Sequence, residues 1–364
     1  MTEPSSLYVH IPFCRHICAY CDFCKVYYYE PWVDAYLDRL ERELQARNAD
    51  RPFRTVYIGG GTPSSLNETQ LRRLLAILKR PLSGAKEATI EANPEQLDEK
   101  KIQLMKEGGI NRLSLGVQTF DETILRHLGR QHTGSQITKA VACCHEVGLN
   151  NISFDLMYGL PGQTHATLKT DLERSLNLGV KHLSYYSLIL EEHTLFALWQ
   201  QAPKDEKWIL EADDLIQHFL KANGFEHYEV SNYAKPGYRS QHNMVYWRNE
   251  GYVGIGAGAS GYIGSIRYDN TRSINQYLKG VTTYTQQSLS LEEQVFESFM
   301  LNWRMKEGID LEKFAERFKQ SPFAFYPEAL KWMIDQGFIA DDGKHLYCFP
   351  KGLAVLDELL LKLA

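Results

Sequence analysis

Four cysteines lie within eleven residues near the start of the sequence: Cys14, Cys18, Cys21 and Cys24. The first three have the spacing C-x3-C-x2-C and sit on a single loop after a strand-like segment. Thiolates are soft ligands that select zinc, copper(I) or iron–sulfur clusters. A structural zinc site normally needs four ligands, commonly as two separated pairs. Three thiolates on one loop instead suit three corners of a cubane, with the fourth iron left open. The spacing favours a [4Fe-4S] cluster over zinc.

Further polar and glycine residues fall at the ends of segments that are predicted to be strands. The turn Gly59-Gly60-Gly61-Thr62 follows the second of these. Glycines let a backbone approach a ligand closely, and exposed amides can receive polar groups. A tight strand-to-helix turn is the alternative. Glu91 lies in an otherwise apolar strand, and a lone buried carboxylate is costly. We therefore expect Glu91 to face a cationic or hydroxylated ligand.

Three more polar residues occupy comparable positions. Gln118 ends the fourth strand, Asp155 lies within the fifth, and Arg130 follows the helix between them. A guanidinium can bind a carboxylate through two hydrogen bonds, which suits Arg130 to such a group. Gln118 and Asp155 suit hydroxyl groups. Each residue alone could equally form a structural salt bridge, but together they indicate a ligand site.

These residues can form one site only if the fold places the ends of their strands close together. The predicted order of strands and helices indicates such a fold. Strand-like segments alternate with amphipathic helices, which predicts βαβ units and a parallel sheet. The predicted strands are 7–13, 55–61, 88–94, 112–119, 151–159 and 182–190, and the predicted helices are 32–47, 68–79, 98–107, 121–128, 135–147, 164–178 and 205–223. Six units are too few for a closed eight-stranded barrel. We predict an α/β fold, an open three-quarter TIM-like barrel whose reactive groups lie at the C-terminal strand ends.

The remainder of the chain has a different residue pattern. We predict a barrel over 1–235, a connecting glycine-rich β segment over 236–285 with the motif His242-Asn243-Met244-Val245-Tyr246-Trp247, and a C-terminal helical domain over 286–364. Residues 227–234 are predicted to form one strand. Helices are predicted over 292–304, 311–318 and 328–336, and with a hairpin across Gly343 they resemble a winged-helix unit. Without a basic patch, we do not expect this unit to bind DNA.

Composition sets limits on partners and location. The chain of 364 residues has a net charge of −5, with 44% hydrophobic and 23% charged residues, as in soluble globular proteins. We expect no nucleic-acid partner, no transmembrane segment and no secretory signal, and we place the protein in the cytoplasm. In that reducing compartment disulfides are not expected. Cys143, Cys144 and Cys348 are expected to be small buried hydrophobic residues.

Several motifs along the sequence resemble those of a known family. The segment Cys14-x3-Cys18-x-Tyr20-Cys21 resembles the radical-SAM signature, in which an aromatic residue precedes the third cysteine. As a set, further motifs resemble the oxygen-independent coproporphyrinogen III oxidase group, and within it the branch of radical-SAM heme chaperones. These motifs are YVHIPFC, YIGGGTPSSL, IEANPE, RLSLGVQTF, LGRQH, FDLMYGLPGQT, YEVSNYAKPG and HNMVYW. The resemblance runs from Tyr8 to the C-terminal helical unit.

The resemblance implies a cofactor site. An electron entering the cluster would cleave S-adenosylmethionine to methionine and a 5′-deoxyadenosyl radical. The residues that the resemblance assigns to S-adenosylmethionine or its surroundings are Tyr8 beside the cluster, Tyr20 beside the adenine, Gly60, Gly61 and Thr62 near the methionine amino group, and Glu91, Gln118, Arg130 and Asp155. His10 is either part of this site or a hydrogen-bonded barrel residue.

Two functions compete within the group. One is an enzyme that oxidatively decarboxylates two propionates of coproporphyrinogen III; the other is a carrier that binds heme and passes it to a recipient such as a respiratory hemoprotein. The oxidases have a fourth cysteine two residues after the third, where this chain has Phe23. They also have a long segment before the cysteine loop, whereas only thirteen residues precede Cys14 here. The HNxxYW motif belongs to the chaperone branch. We therefore expect a heme carrier that needs a reductant for its cluster.

Two residues keep alternative interpretations. Cys24 could be a spare thiol near the cluster, a heme ligand or a residue without a role, and the last is favoured. His242 could ligate heme iron, since imidazole is a common axial ligand. It could equally be a histidine that forms hydrogen bonds within its loop, with Tyr246 and Trp247 in the core.

Overall fold

The computed structural model describes residues 3–363. Strands and helices alternate along the first part of the chain, as β1 (Ser6–Ile11), β2 (Phe13–Cys14), β3 (Val26–Tyr27), α1 (Glu30–Ala46), β4 (Thr55–Gly60), α2 (Glu68–Ile77), α3 (Lys79–Leu82), β5 (Glu87–Ala92), α4 (Glu99–Glu107), β6 (Arg112–Gln118), α5 (Glu122–His127), α6 (Gly134–Val147), β7 (Ile152–Tyr158), α7 (His165–Asn177), β8 (His182–Ser187), α8 (Leu195–Leu198) and α9 (Glu206–Ala222). The middle part comprises β9 (Glu226–Glu229), β10 (Asn232–Ala234), α10 (Gln241–Trp247), β11 (Val253–Ile255), β12 (Ser260–Ile263), β13 (Ile266–Asn270), α11 (Ile274–Leu278) and β14 (Thr283–Ser288). The C-terminal part comprises α12 (Leu291–Asn302), β15 (Ile309–Asp310), α13 (Leu311–Phe318), α14 (Pro322–Phe325), α15 (Pro327–Asp335), β16 (Ile339–Asp341), β17 (His345–Cys348), α16 (Pro350–Leu353) and α17 (Leu356–Leu360).

The main sheet has nine strands in the order β11-β1-β4-β5-β6-β7-β8-β10-β9. The six neighbours from β1 to β8 all pair in parallel, and they are the six strands predicted from the sequence. The predicted α/β open barrel is thus confirmed. Both edges extend further than predicted, because β11 adds in parallel to β1 and β10 adds antiparallel to β8. Strand order and direction place the C-terminal ends of the six strands along one rim.

The predicted single strand over 227–234 is wrong. The chain turns between β9 and β10, which pair antiparallel with each other. The buried carboxylate of Glu229 stabilises this turn by accepting a hydrogen bond from the backbone N–H of Ser231 at 2.9 Å and a second from the side-chain amide of Asn232. A carboxylate that bonds the backbone locally competes with a continuing strand.

Segment 236–285 differs from the expected β connection in two ways. The HNxxYW motif is helical, as α10, because Ser240 caps its N-terminus by accepting from the N–H of Asn243 at 3.3 Å. Residues 253–255 form β11 and join the barrel sheet. This segment is therefore integrated with the barrel, and the division of the chain at residues 235 and 285 stays a prediction.

Strand alternation produces a polar barrel interior. In β6, Leu113, Leu115 and Val117 are fully buried in the hydrophobic core, while Arg112 and Ser114 line a cavity on the other face. The interior of a TIM barrel is ordinarily packed with bulky branched side chains. Here the polar interior leaves a lumen that can take a ligand.

The C-terminal unit has its own hydrophobic core, which includes Phe299, Trp303, Leu330 and Met333. Three of its helices match the prediction, and β16 and β17 form the expected hairpin across Gly343 within the sheet β15-β17-β16. None of the helices within residues 3–363 is both long enough and apolar enough to cross a bilayer.

Candidate functional site

The three motif cysteines open onto one cavity inside the barrel. Cys14 ends β2, and the pairing of β2 with β3 closes the loop that carries Cys18 and Cys21. The cavity has a volume of about 320 Å³ and is lined by all three cysteines. It is also lined by every residue predicted to contact S-adenosylmethionine except Tyr8: Tyr20, Gly60, Gly61, Thr62, Glu91, Gln118, Arg130 and Asp155. The structure therefore brings the cysteine loop and these strand ends together.

The donor set at the cysteine loop fits a cluster better than a single metal ion. Among residues 3–363, no group of three or more His, Cys, Asp or Glu side chains is placed to hold one ion. A zinc ion would require its sulfur ligands at about 2.3 Å from one centre. Thiolates on separate irons of a cubane need no such convergence. The Cys14 thiol also lies 3.4 Å from the Thr62 hydroxyl, which can donate to a thiolate.

Burial governs the protonation of these thiols. It raises the pKa of Cys14 to about 11, and the neighbouring Cys18 and Cys21 raise it further, against the Thr62 hydrogen bond that lowers it. Burial likewise raises the pKa of Cys21. Because metal ligation deprotonates a thiol outright, iron would displace these protons.

The glycine turn after β4 is required by close packing. Gly60 has a φ of +115°, and a Cβ there would meet the His10 ring, while a Cβ at Gly61 would meet the Pro12 carbonyl. The N–H groups of Gly60, Gly61 and Thr62 bond to Glu91, Ile11 and Phe13 respectively. The turn therefore cannot offer these amides to a ligand. What it brings to the cavity is the Thr62 side chain and a close backbone approach.

Two carboxylates face the same lumen. Glu91 accepts from the Tyr57 hydroxyl at 2.7 Å and from the N–H of Gly60 at 3.0 Å, and burial raises its pKa to about 7. Asp155 accepts from the Ser114 hydroxyl at 3.0 Å, and burial raises its pKa to about 6. Buried carboxylates are stabilised by cationic or hydroxylated partners. The sulfonium, ammonium and ribose hydroxyls of S-adenosylmethionine have that chemistry.

Arg130 is fixed on one side and free on the other. Its Nη1 donates to the Asn93 side chain at 2.5 Å, whereas its Nε is buried without a partner among the described residues. Gly116 leaves room for the guanidinium, since a Cβ there would lie 2.8 Å from Nη2. An unpaired buried donor fits a carboxylate ligand.

Gln118 occupies a strained backbone position. It has a φ of +64°, uncommon for a residue other than glycine, beside a bulge in the pairing of β6 with β7. Such a conformation costs of order 1–3 kcal/mol and persists where the surroundings impose it, often at ligand sites. The bulge lets Gln118, at the strand end, line the lumen.

Tyr8 lines a second cavity, of about 490 Å³, that adjoins the first. The two cavities share Tyr20, Cys21 and Phe23. Tyr8 donates to or accepts from Nδ1 of His10 at 3.0 Å, and Nε2 of His10 bonds to the Cys24 carbonyl at 2.8 Å. His10 therefore takes the alternative expected for it, a hydrogen-bonded barrel residue. The Tyr8 ring stacks on that of Tyr57, which lines the first cavity, with 6.1 Å between the ring centroids.

Cys24 lies outside the cavity of the other three cysteines. Its thiol donates to the carbonyl of Arg272 at 3.3 Å and packs against Gly258, where a Cβ would collide with it. Burial raises the pKa of Cys24. This geometry favours a packed thiol without a ligand role, while the adjacent Phe23 is 70% exposed at the rim of both cavities.

His242 is fully buried at the N-terminal end of the barrel. Its Nδ1 lies 2.9 Å from the Thr55 hydroxyl, which itself donates to Ser6, so Nδ1–H is the donor. Nε2 then accepts from the Tyr246 hydroxyl at 2.8 Å. Burial lowers the pKa of His242 to about 3, so the ring is neutral. With both nitrogens engaged, the geometry favours the hydrogen-bonding alternative over iron ligation.

We therefore expect His242→Ala to act on stability. Two lost hydrogen bonds and a new cavity should lower the free energy of unfolding by about 2–4 kcal/mol, measured by urea unfolding. Heme affinity and the position of the heme Soret band should match those of the unsubstituted chain. A folded His242→Ala chain with an altered Soret band would restore the ligand interpretation.

The lumen residues below the strand ends were not predicted from the sequence. The inward-facing set includes Tyr57, Thr89, Arg112, Ser114, Ser153, His182 and Ser184. The sequence contains a pattern that could have identified them, because polar residues recur at every second position of four neighbouring strands.

Two protein-family models match separate parts of the chain. The Radical SAM superfamily model matches residues 8–174, and the HemN C-terminal domain model matches residues 289–355. Proteins named heme chaperone HemW are 42% identical in Lactococcus lactis, 38% in Bacillus subtilis and 33% in Escherichia coli. These matches cover 100%, 97% and 98% of this chain and 98%, 97% and 97% of the relatives.

Among solved structures, the coproporphyrinogen III oxidase HemN from Escherichia coli, described as a radical SAM enzyme, has a TM-score of 0.84. It is 23% identical, and the match covers 99% of this chain and 90% of that one. At this identity the likeness establishes the fold alone.

Proposed function

Because the chain belongs to the radical SAM superfamily, and within it to the family of proteins named heme chaperone HemW, we propose that it binds heme together with a [4Fe-4S] cluster and S-adenosylmethionine and delivers heme to a recipient hemoprotein. The observation that carries this proposal is identity of up to 42% with HemW proteins over the whole chain. The oxidase HemN has the same fold at only 23% identity.

The cysteine loop supports the cluster part of the proposal. Cys14, Cys18 and Cys21 would each hold one iron, and the Thr62 hydroxyl would donate to the Cys14 thiolate. When bound, the cluster and S-adenosylmethionine supply one-electron chemistry, the reductive cleavage of a C–S bond. An electron donor must therefore be among the partners.

The strand ends support the cofactor part. The free Nε edge of Arg130 would bind the methionine carboxylate, with Asn93 holding the other edge in place. Glu91 and Asp155 would accept hydrogen bonds from ammonium or ribose groups, which lowers the cost of their burial. Tyr20 would pack against the adenine at the junction of the two cavities.

The alternative, oxidative decarboxylation of coproporphyrinogen III, is less well supported. At the position of the fourth oxidase cysteine this chain has Phe23, whose ring is largely exposed. The cytoplasm is the compartment we propose, since all seven cysteines are free thiols in the structure.

Two assays on the anaerobically purified chain separate these functions. We expect heme loaded on the chain to move to a heme-depleted respiratory hemoprotein faster than heme loaded on serum albumin, a nonspecific carrier. In parallel, coproporphyrinogen III with S-adenosylmethionine and a reductant should give no protoporphyrinogen IX. Turnover to protoporphyrinogen IX, or transfer no faster than from albumin, would overturn the carrier assignment.

A further inference from the structure

The lower half of the barrel lumen contains polar groups that the proposed cofactor site does not use. We call this region the lumen floor and define it by the side chains Thr89, Arg112, Ser153, His182, Ser240 and Asn243, which all line the first cavity. Thr89 and Arg112 precede Glu91 and Ser114 by two residues on β5 and β6, so they face the same side one level down.

Arg112 is a buried guanidinium with one free edge. Its Nη1 donates to the carbonyl of Tyr238 at 2.9 Å and lies 3.6 Å from Glu87. Its Nη2 is buried and has no partner among the described residues, and the side chain is only 2% exposed. Buried donors are ordinarily paired, so an unpaired one on a side chain that lines a cavity requires an explanation.

Glu87 does not engage every donor of this guanidinium. Its two carboxylate oxygens accept from the N–H groups of His242 at 2.8 Å and Gln241 at 3.0 Å, at the start of α10. The carboxylate is therefore shared between the helix N-terminus and Arg112. Nη2 of Arg112 is left as a donor that Glu87 does not use.

A second unpaired group lies at the same level. The Thr89 hydroxyl is buried and has no partner among residues 3–363. By contrast, Ser153 and His182 are paired, because Ser153 Oγ lies 2.6 Å from Nδ1 of His182. The other ring nitrogen, Nε2 of His182, lies 2.7 Å from the Tyr228 hydroxyl. The buried unpaired donors of the lumen floor thus belong to Thr89 and Arg112, below the two carboxylates of the upper lumen.

We propose that the lumen floor binds a carboxylate group of a ligand, which accepts hydrogen bonds from Nη2 of Arg112 and from the Thr89 hydroxyl. The lumen is then divided by charge, with Glu91 and Asp155 facing cationic groups above and Arg112 facing an anionic group below. This carboxylate belongs to a propionate arm of heme, an assignment that rests on the proposed function. A cavity of about 320 Å³ is at the small end of ligand pockets, which span about 300–1,000 Å³, so beside a cofactor it admits an arm and not a macrocycle.

Heme and heme dimethyl ester, whose carboxylates are blocked, provide the test. The unsubstituted chain should bind heme about tenfold more tightly than the ester, the effect of a hydrogen bond to a charged group. Thr89→Val removes the free hydroxyl at nearly constant shape, and Arg112→Lys keeps the charge but loses the Nη2 donor. Each should weaken heme binding about three- to tenfold and leave ester binding unchanged. Thr69→Val and Arg72→Lys, on the exposed face of α2, are the matched controls and should change neither.

Thr89→Val protects the test against misfolding, because the hydroxyl that it removes has no partner to lose. Equal binding of heme and ester by the unsubstituted chain would overturn the inference and leave the heme carrier standing. If neither porphyrin binds, the proposed function fails. The Tm of the chain in sodium propionate, compared with that in sodium chloride at equal concentration, then tests whether the lumen floor binds a carboxylate. A rise in Tm that Thr89→Val abolishes supports the inference, and no rise overturns it.

Discussion

Cys18→Ser is expected to reduce the iron and acid-labile sulfide bound after anaerobic reconstitution to near background. Cys14, Cys18 and Cys21 line one cavity and comprise all the cysteines there, so no further thiol within the described residues stands ready to replace a lost ligand. A serine hydroxyl is a hard and weakly acidic ligand, poorly matched to iron in a cluster. The broad visible absorption of the cluster should be lost together with the iron.

Cys24→Ser is the matched control for this loss. Cys24 bonds to the Arg272 carbonyl and faces the second cavity, so its replacement should leave iron content unchanged. Equal iron loss in Cys24→Ser and Cys18→Ser would place Cys24 among the ligands and contradict the geometry. Iron retained in full by Cys18→Ser would refute the cluster site itself.

Glu91→Gln is expected to stabilise the unliganded chain and weaken cofactor binding. Burial raises the pKa of Glu91 from 4.5 to about 7, so folding favours its protonated form. The corresponding stability is present below pH 4.5 and is lost as the pH rises through about 7. At pH 8 the glutamine chain should therefore exceed the unsubstituted chain by on the order of 2 kcal/mol in the free energy of unfolding. Its amide can still bond to both Tyr57 and the N–H of Gly60, because a hydroxyl can donate or accept.

Urea unfolding of both unliganded chains at pH 4.5 and pH 8 measures the first effect. The difference between the chains should be small at pH 4.5 and large at pH 8, with Asp155 leaving some pH dependence in both. Calorimetric titration measures the second effect, and we expect an affinity for S-adenosylmethionine lower by about tenfold or more. A Glu91→Gln chain that binds the cofactor normally would remove Glu91 from the site.

The regular parts of this fold could be predicted because the central strands are rich in β-branched, aromatic and leucine residues and each precedes a helix with an amphipathic pattern. Residues 311–318, for example, were predicted as a helix and form α13 with those bounds. Short elements could not be, because their stability comes from partners distant in sequence. The three residues of β11 lie in a glycine-rich run and become a strand only by pairing with β1.

The residues of the site likewise divide into those with a local sequence pattern and those that depend on distant partners. The cysteine spacing and the polar residues at strand ends carry local signals, and these residues meet in one cavity. The state of His242 depends on Thr55, 187 positions away in the chain, and that of Arg112 depends on Glu87 and the start of α10. The spacing of residues along the sequence does not predict such long-range pairs. The unpaired donors of the lumen floor can therefore be identified only from the structure.

Helix α10 touches three parts of the molecule at once. Asn243 lines the first cavity, Tyr246 lines the second, and Arg248, the residue after the helix, bonds to Glu307 of the C-terminal part at 2.7 Å. Any ligand that shifts α10 from one cavity must therefore shift its contacts with the other two parts, and the reverse holds with the same free energy. A displacement of α10 would thereby link binding in either cavity to the contacts of the C-terminal part.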